Sequence, residues 1–284
     1  MKGVKSLSLI YAIFMGIIQG LTEFLPVSSS GHLVIFQQIL GLDEIGLGFN
    51  ILLHIGTLIA VIIYYHKDLI LLVNEFFSLS KDILLTRCKP NIRANEHRLL
   101  LVMLIIAIVP TAVIGFLFND LFESLFKSAH IVGYMLIITG ILLWFANYLP
   151  LGSKQAIDMT TKDALFVGLI QGAAITPGIS RSGATIFAGL FKGFSRDLAT
   201  RFSFLLSIPA ILSAFVLEGP EIFHELSTLG NLLPVFFALI AAAISGYLAI
   251  DMLIKILKKQ KLQYFSYYCW VVGGLTIAYH LIFE

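Results

Sequence analysis

Two distant stretches of this chain are near-copies of one another, and both break an apolar run in the same way. Residues 16–32 read GIIQGLTEFLPVSSSGH and residues 168–184 read GLIQGAAITPGISRSGA, an offset of 152 with no gap. Gln19 falls on Gln171, Gly20 on Gly172, Ser28 on Ser180, Ser30 on Ser182 and Gly31 on Gly183. The copies diverge where chemistry would sit. Glu23 faces Ile175, Ser29 faces Arg181 and His32 faces Ala184. One copy brings an acid, a hydroxyl and an imidazole, and the other brings a guanidinium. A duplicated scaffold with specialised copies predicts a single composite site built from both.

The apolar context says where such a chain can fold. Of its residues 58% are hydrophobic and 13% charged, against roughly 25% charged in soluble domains. With a mean hydropathy of +0.93, the chain belongs in a bilayer. A net charge of +2 is too small to argue for nucleic acid. Cys88 and Cys269 fit no metal or disulfide spacing and read as inert packing residues. Lys2 and Lys5 precede an apolar run as in a signal peptide, but that run contains Gln19 and Glu23 and no small-residue cleavage site, so it reads as retained.

Spanning helices need about 20 mostly apolar residues. Six stretches qualify, near 49–66, 99–117, 131–149, 202–218, 232–254 and 264–283. The repeat segments, near 8–40 and 160–192, read instead as two short apolar helices around a break at Pro26 and Pro177. Non-helical backbone at membrane depth survives only inside protein or beside a wet cavity, which predicts two re-entrant hairpins. Loop charge sets their direction. Residues 67–98 carry Lys67, Lys81, Arg87, Lys89, Arg93 and Arg98, and 255–261 carry Lys255, Lys258, Lys259 and Lys261, marking both as cytoplasmic. Residues 218–231 carry Glu218, Glu221 and Glu225 with no Lys or Arg and fit the outside. The first hairpin then enters from outside and the second, flanked by Lys154, Lys162, Lys192 and Arg196, from inside. Lys2 and Lys5 oppose this order, and the more heavily charged loops outweigh them. The expected fold is an all-α integral membrane protein of six transmembrane helices plus two re-entrant helical hairpins in inverted-topology repeats. It is one membrane domain over 1–284, with repeat 1 at about 8–150 and repeat 2 at about 160–284.

The second break, Pro177-Gly-Ile-Ser-Arg-Ser-Gly-Ala-Thr185, suits an oxyanion. Glycines let backbone approach a ligand, and N–H groups at a helix start point at anions. Ser180, Ser182 and Thr185 add hydroxyls, and Arg181 adds a planar fork matched to phosphate. In the first hairpin, Glu23 is an ionisable group inside a membrane segment, a functional residue by default. Gln19, four residues earlier, shares its helix face, so the two could hold a divalent cation or position a water. Ser28, Ser29 and Ser30 precede His32. One hydroxyl is expected to cap the next helix and one to react. Ser29, where the copies diverge, is the choice for the reactive hydroxyl, with His32 as its base. Asn50 and His54, one turn apart on the next span, could each reach the cavity, with a structural hydrogen bond as the favoured role.

Gln19-x-x-x-Glu23, the PVSSSGH run at 26–32 and the PGISRSGAT run at 177–185 resemble the signature of the bacterial undecaprenyl-diphosphate phosphatase family of the bacitracin-resistance type. The resemblance covers essentially the whole chain. It implies an inner-membrane enzyme that hydrolyses undecaprenyl diphosphate to the monophosphate and recycles the carrier for peptidoglycan and other envelope polymers. It implies Glu23, Ser29, His32 and Arg181 as catalytic residues, with phosphate contacts from Ser28, Ser30, Gly178, Ser180, Arg181, Ser182 and Thr185. A divalent cation, Mg²⁺ or Ca²⁺, would be held by Glu23 and Gln19. The family pattern allows Glu or Gln at position 19, and Gln here removes one carboxylate. The partners implied are a polyprenyl diphosphate lipid, membrane lipid and a second copy of the chain in a homodimer, with a site opening to the outer side. A phosphoserine intermediate and direct attack by water both fit the residues.

Three other classes compete. Inverted repeats alone would favour a transporter or polyprenyl-phosphate flippase, but a pure pathway has no need for copies that diverge at 23, 29 and 32. A lipid phosphatase of the acid-phosphatase type needs a further Ser-Arg…His…Asp segment, and after Ser195-Arg196 no His follows until His224. A membrane scaffold leaves Arg181 and Glu23 at membrane depth unexplained.

Overall fold

The computed structural model describes residues 8–40, 47–85, 90–126, 128–228 and 232–283. Lys2, Lys5, Arg87, Cys88 and Lys89 lie outside the described residues. The first hairpin is α1 (Leu9–Phe24) and α2 (Ser29–Leu40). The second is α8 (Thr161–Ala173) and α9 (Arg181–Phe191). These start residues reproduce the 152-residue offset of the sequence. Within each hairpin the two helices pack on one another. The rest of the first half is α3 (Leu47–Tyr64), α4 (His66–Leu85), α5 (Glu96–Leu117), α6 (Asn119–Phe126) and α7 (Ala129–Tyr148). The second half continues through α10 (Arg196–Leu217), α11 (Gly219–Thr228), α12 (Leu233–Lys258) and α13 (Gln263–Phe283). No strand occurs among the described residues, and one isolated bridge joins Lys154 to Phe194.

The protein is an all-α membrane protein. Helices α5, α7, α10, α12 and α13 are each long and apolar enough to cross a bilayer, and α3 with α4 makes a sixth candidate. Five of the expected spans are these single helices, and the stretch expected at 49–66 is α3, which qualifies only together with α4. The stretch 67–98, read as a charged loop, instead contains α4, turned 85° from α3. Arg98, in the first turn of α5, holds two of its acids. The Arg98 guanidinium donates to Glu75 at 2.8 Å, to Asp82 at 2.7 Å and to the Ser78 hydroxyl at 2.7 Å. This ties three points along α4 to one residue of α5.

Each hairpin packs against the other half of the chain. Helix α1 lies along α12 and α8 lies along α5, while α7 and α13 pack together. The repeated glycines explain the first two seams. A Cβ on Gly16 would fall 2.3 Å from the Ala238 carbonyl oxygen, and one on Gly168 would fall 2.0 Å from that of Ala107. Membrane helices gain no hydrophobic drive from lipid, so backbone approach through small residues supplies their association. Gly168→Val therefore melts well below the parent in detergent, since overpacking of this kind costs about 1–3 kcal/mol. Gly274→Val is the control, because nothing lies within 4 Å of a Cβ there. Equal melting of the two variants would overturn this account of the seam.

Candidate functional site

The two breaks meet. A Cβ on Gly31 would sit 3.2 Å from Gly178 Cα, and one on Gly183 would sit 3.1 Å from Pro26 Cβ. Positions 26 and 178 are equivalents, as are 31 and 183, so the contact is reciprocal. Both turns need unusual backbone. Ser28 has φ +70° and Gly178 φ +91°, the left-handed region that favours glycine. The same hydrogen bonds then start the next helix in each copy. Ser28 Oγ accepts from Gly31 N–H at 3.2 Å and Ser180 Oγ accepts from Gly183 N–H at 3.1 Å. Thus α2 and α9 both begin at this junction, and their first-turn N–H groups and dipoles favour negative charge there.

The last turn of α1 brings Glu23 to the junction, 5% exposed. Its carboxylate is shared across the copies. Arg181 Nη2 donates to Oε1 in a direct ion pair. Oε2 accepts from Gln19 Nε2 at 3.0 Å and from Ser29 Oγ at 2.5 Å. His54 Nε2 lies 3.5 Å from the same oxygen, while its Nδ1 donates to the Asn50 carbonyl at 2.7 Å. The second guanidinium nitrogen, Arg181 Nη1, is buried without a hydrogen-bond partner, as is Gln19 Oε1. A buried donor left over on a paired arginine is ready for an oxyanion.

The fold thus brings Gln19, Glu23, Ser29 and Arg181 together. It places other expected site residues elsewhere. His32 does not reach Ser29 or Glu23: its Nδ1 bonds the Ser28 carbonyl and its Nε2 the Tyr268 hydroxyl, both at 2.7 Å. Thr185 is committed to its own helix and to α10, with its hydroxyl on the Arg181 carbonyl at 2.8 Å and on Ser203 Oγ at 2.6 Å. Ser28 and Ser180 serve as caps, each with a second hydroxyl close by, Ser30 at 3.3 Å and Ser182 at 3.2 Å. Gly178 shapes the turn, and its carbonyl accepts from Thr139 Oγ1 at 3.0 Å. His54, read as structural, keeps that bond and also faces Glu23. Its reach to the cavity was open in the sequence, whereas Tyr268, 236 residues from His32, gave no local signal.

At the mouth of the second hairpin, outside the spans, Asp163 ties the loop after α7 to the end of α9. Lys154 bonds it at 3.1 Å and Lys192 lies 3.6 Å away. Burial would raise its carboxyl. Hydrogen bonds from Thr160 and Lys154 outweigh burial and hold it below the ordinary aspartate value.

Comparison with known proteins agrees with the whole-chain extent of this architecture. The chain is 47% identical over 273 residues to the undecaprenyl-diphosphatase of Alkaliphilus metalliredigens, covering 95% of this chain and 98% of that protein. It is 44% identical over 271 residues to the undecaprenyl-diphosphatase of Halothermothrix orenii, with 95% and 98% covered. To that of Methanobrevibacter smithii it is 42% identical over 268 residues, with 94% and 96% covered. Residues 12–275, both breaks included, match the family model of the bacitracin resistance protein BacA, and the chain belongs to that family.

Proposed function

We propose that the protein hydrolyses undecaprenyl diphosphate to undecaprenyl phosphate and inorganic phosphate, recycling the lipid carrier of peptidoglycan and other envelope polymers. The observation that carries this reading is the pairing of Ser29 and Glu23 at 2.5 Å beside the unpartnered Nη1 of Arg181. A nucleophile and its base in hydrogen-bond reach, with a spare cationic donor alongside, are what displacement at phosphorus requires.

In this mechanism the terminal phosphoryl group lies between the starts of α2 and α9. Ser29 Oγ attacks the terminal phosphorus and its proton passes to Glu23. The phosphoanhydride bond breaks and undecaprenyl phosphate leaves. Water then attacks the phosphoserine, releasing inorganic phosphate and returning the proton to Ser29. Arg181 Nη1 holds an oxygen of the transferring group throughout. Its ion pair with Glu23 fixes the fork in place. His54 borders the carboxylate that takes the proton.

A divalent cation fits this donor set. No cluster of three His, Cys, Asp or Glu occurs among the described residues. Glu23 and the unpartnered Oε1 of Gln19 remain as protein ligands, and Mg²⁺ commonly takes one or two carboxylates with phosphates supplying the rest. Bound there, Mg²⁺ or Ca²⁺ would neutralise charge on the diphosphate oxygens.

The test is phosphate release from undecaprenyl diphosphate by purified protein in detergent, with Mg²⁺, with Ca²⁺ and with chelator. Cation-dependent release is expected. Folded protein that releases no phosphate but moves the lipid across liposomes overturns the reading in favour of a transporter. The site is proposed to open to the outer face of the cytoplasmic membrane, with the two hairpins entering from opposite sides. Glu221→Cys should then react with an impermeant maleimide in intact cells, and labelling only after lysis would reverse the orientation.

A further inference from the structure

We propose that Tyr268 is a positioning residue for the reaction, acting through His32 to hold the turn that delivers Ser29 to Glu23. The kinetic part of this rests on the hydrolase reading above; the structural part does not.

The chain of contacts is continuous. The Ser28 carbonyl can only accept, so the proton on the His32 ring lies on Nδ1, which donates to it at 2.7 Å. In the neutral ring Nε2 is then a lone pair, and the Tyr268 hydroxyl donates to it at 2.7 Å. The rings lie parallel within 9°, with centroids 5.6 Å apart. His32 is 3% exposed and both its nitrogens are used, so it is not poised as a base for Ser29. What it grips is the carbonyl of Ser28, the residue with φ +70°. A non-glycine residue in that region persists only when its surroundings over-determine it. The next residue is Ser29, whose Oγ must meet Glu23 at hydrogen-bond distance.

Tyr268 lies on α13, in the other half of the chain from the turn it supports. Its neighbour Cys269 lies with Sγ 3.8 Å from the Pro26 carbonyl, so α13 holds the turn at both ends. The second break has the reciprocal arrangement. There α7, from the first half, offers Thr139, which donates to the Gly178 carbonyl and accepts from Ser180 N–H, both at 3.0 Å. Each break is thus held by a helix of the opposite half. Tyr268 is itself 43% exposed and follows Tyr267, whose ring contacts Trp144 and Trp270. Such residues sit at membrane interfaces with no further role. The distinguishing observation is that this hydroxyl turns inward, onto a buried imidazole.

Tyr268→Phe keeps the ring and removes the donor. Its kcat for phosphate release is expected to fall about 10- to 100-fold, the scale of a small misplacement of reacting groups, with KM within about twofold. In a His32→Ala background the same change should cost nothing more, because Tyr268 acts through His32. A second readout needs no activity. In ¹⁵N-histidine NMR, with His32 signals assigned by their loss in His32→Gln, the His32 Nε2 signal should shift in Tyr268→Phe. An unshifted signal overturns the proposal, as does unchanged kcat in a variant whose signal has moved. Multiplicative losses in the double variant, or a raised KM at normal kcat, assign Tyr268 to the substrate and overturn it equally. If the parent protein hydrolyses nothing, the NMR arm still decides the contact and the failure belongs to the hydrolase reading.

Discussion

Arg181→Ala loses phosphate release by about 10³-fold or more. Two independent losses set this figure. Nη1 is the buried donor with no protein partner, and removing one preorganised donor to a developing charge costs about 10²–10³ in rate. Nη2 is the partner of Glu23 Oε1. Truncation therefore also leaves a carboxylate, 3% exposed at its side chain, without its counter-charge. Breaking a buried pair from one side destabilises by about 3–5 kcal/mol. A melting curve in detergent should show that loss alongside the rate. The two effects separate in a second variant. Arg181→Ala with Glu23→Gln removes both charges, so thermal stability should return towards the parent while hydrolysis stays lost. Arg181→Lys keeps the charge but not the fork and is expected to recover little activity. Near-normal turnover in Arg181→Ala would remove the second hairpin from the site.

How much of this was legible in the sequence depends on distance along the chain. The repeat carries its own alignment, so the break positions, the equivalent helix starts and the divergent pairs 23/175, 29/181 and 32/184 could be read directly. Five spans followed from apolar length alone. Helix α4 was hidden because Lys67, Lys81 and the basic residues up to Arg98 read as a cytoplasmic loop. Arg98 and Asn95, 23 and 20 residues beyond Glu75, bind that carboxylate, and Arg98 also binds Asp82, which fastens the helix to α5. Three site contacts were out of reach for the same reason. His32 was assigned to Ser29 because they are three residues apart, yet its ring partner comes from α13. Thr185 looked like a phosphate ligand until α10 supplied Ser203. His54 lies beyond the first hairpin, on a span whose rotation no motif specifies. Local pattern names the residues that can react, and packing between the halves decides which of them meet.

Glu23→Gln and Ser29→Ala each abolish steady-state hydrolysis, by at least about 10³-fold, and their difference tests the covalent step. Ser29 Oγ donates to Glu23 Oε2 at 2.5 Å. The carboxylate can therefore take the serine proton directly, without an intervening histidine. Glu23→Gln keeps the shape but removes the base, leaving Arg181 without its counter-charge, so stability should drop with activity. Ser29→Ala leaves the Glu23–Arg181 pair intact and should melt near the parent. The cation titration separates the roles further. Gln in place of Glu23 should weaken the apparent Mg²⁺ affinity in any residual activity, whereas Ser29→Ala should not, since Ser29 is not among the donors assigned to the cation. With substrate labelled in its terminal phosphate, acid-quenched parent protein should carry the label on Ser29, and Ser29→Ala should carry none. A Ser29→Ala enzyme that keeps most of its rate would instead mean that water attacks directly. The 2.5 Å contact would then order the carboxylate that orients that water, and Glu23→Gln alone would stop the reaction.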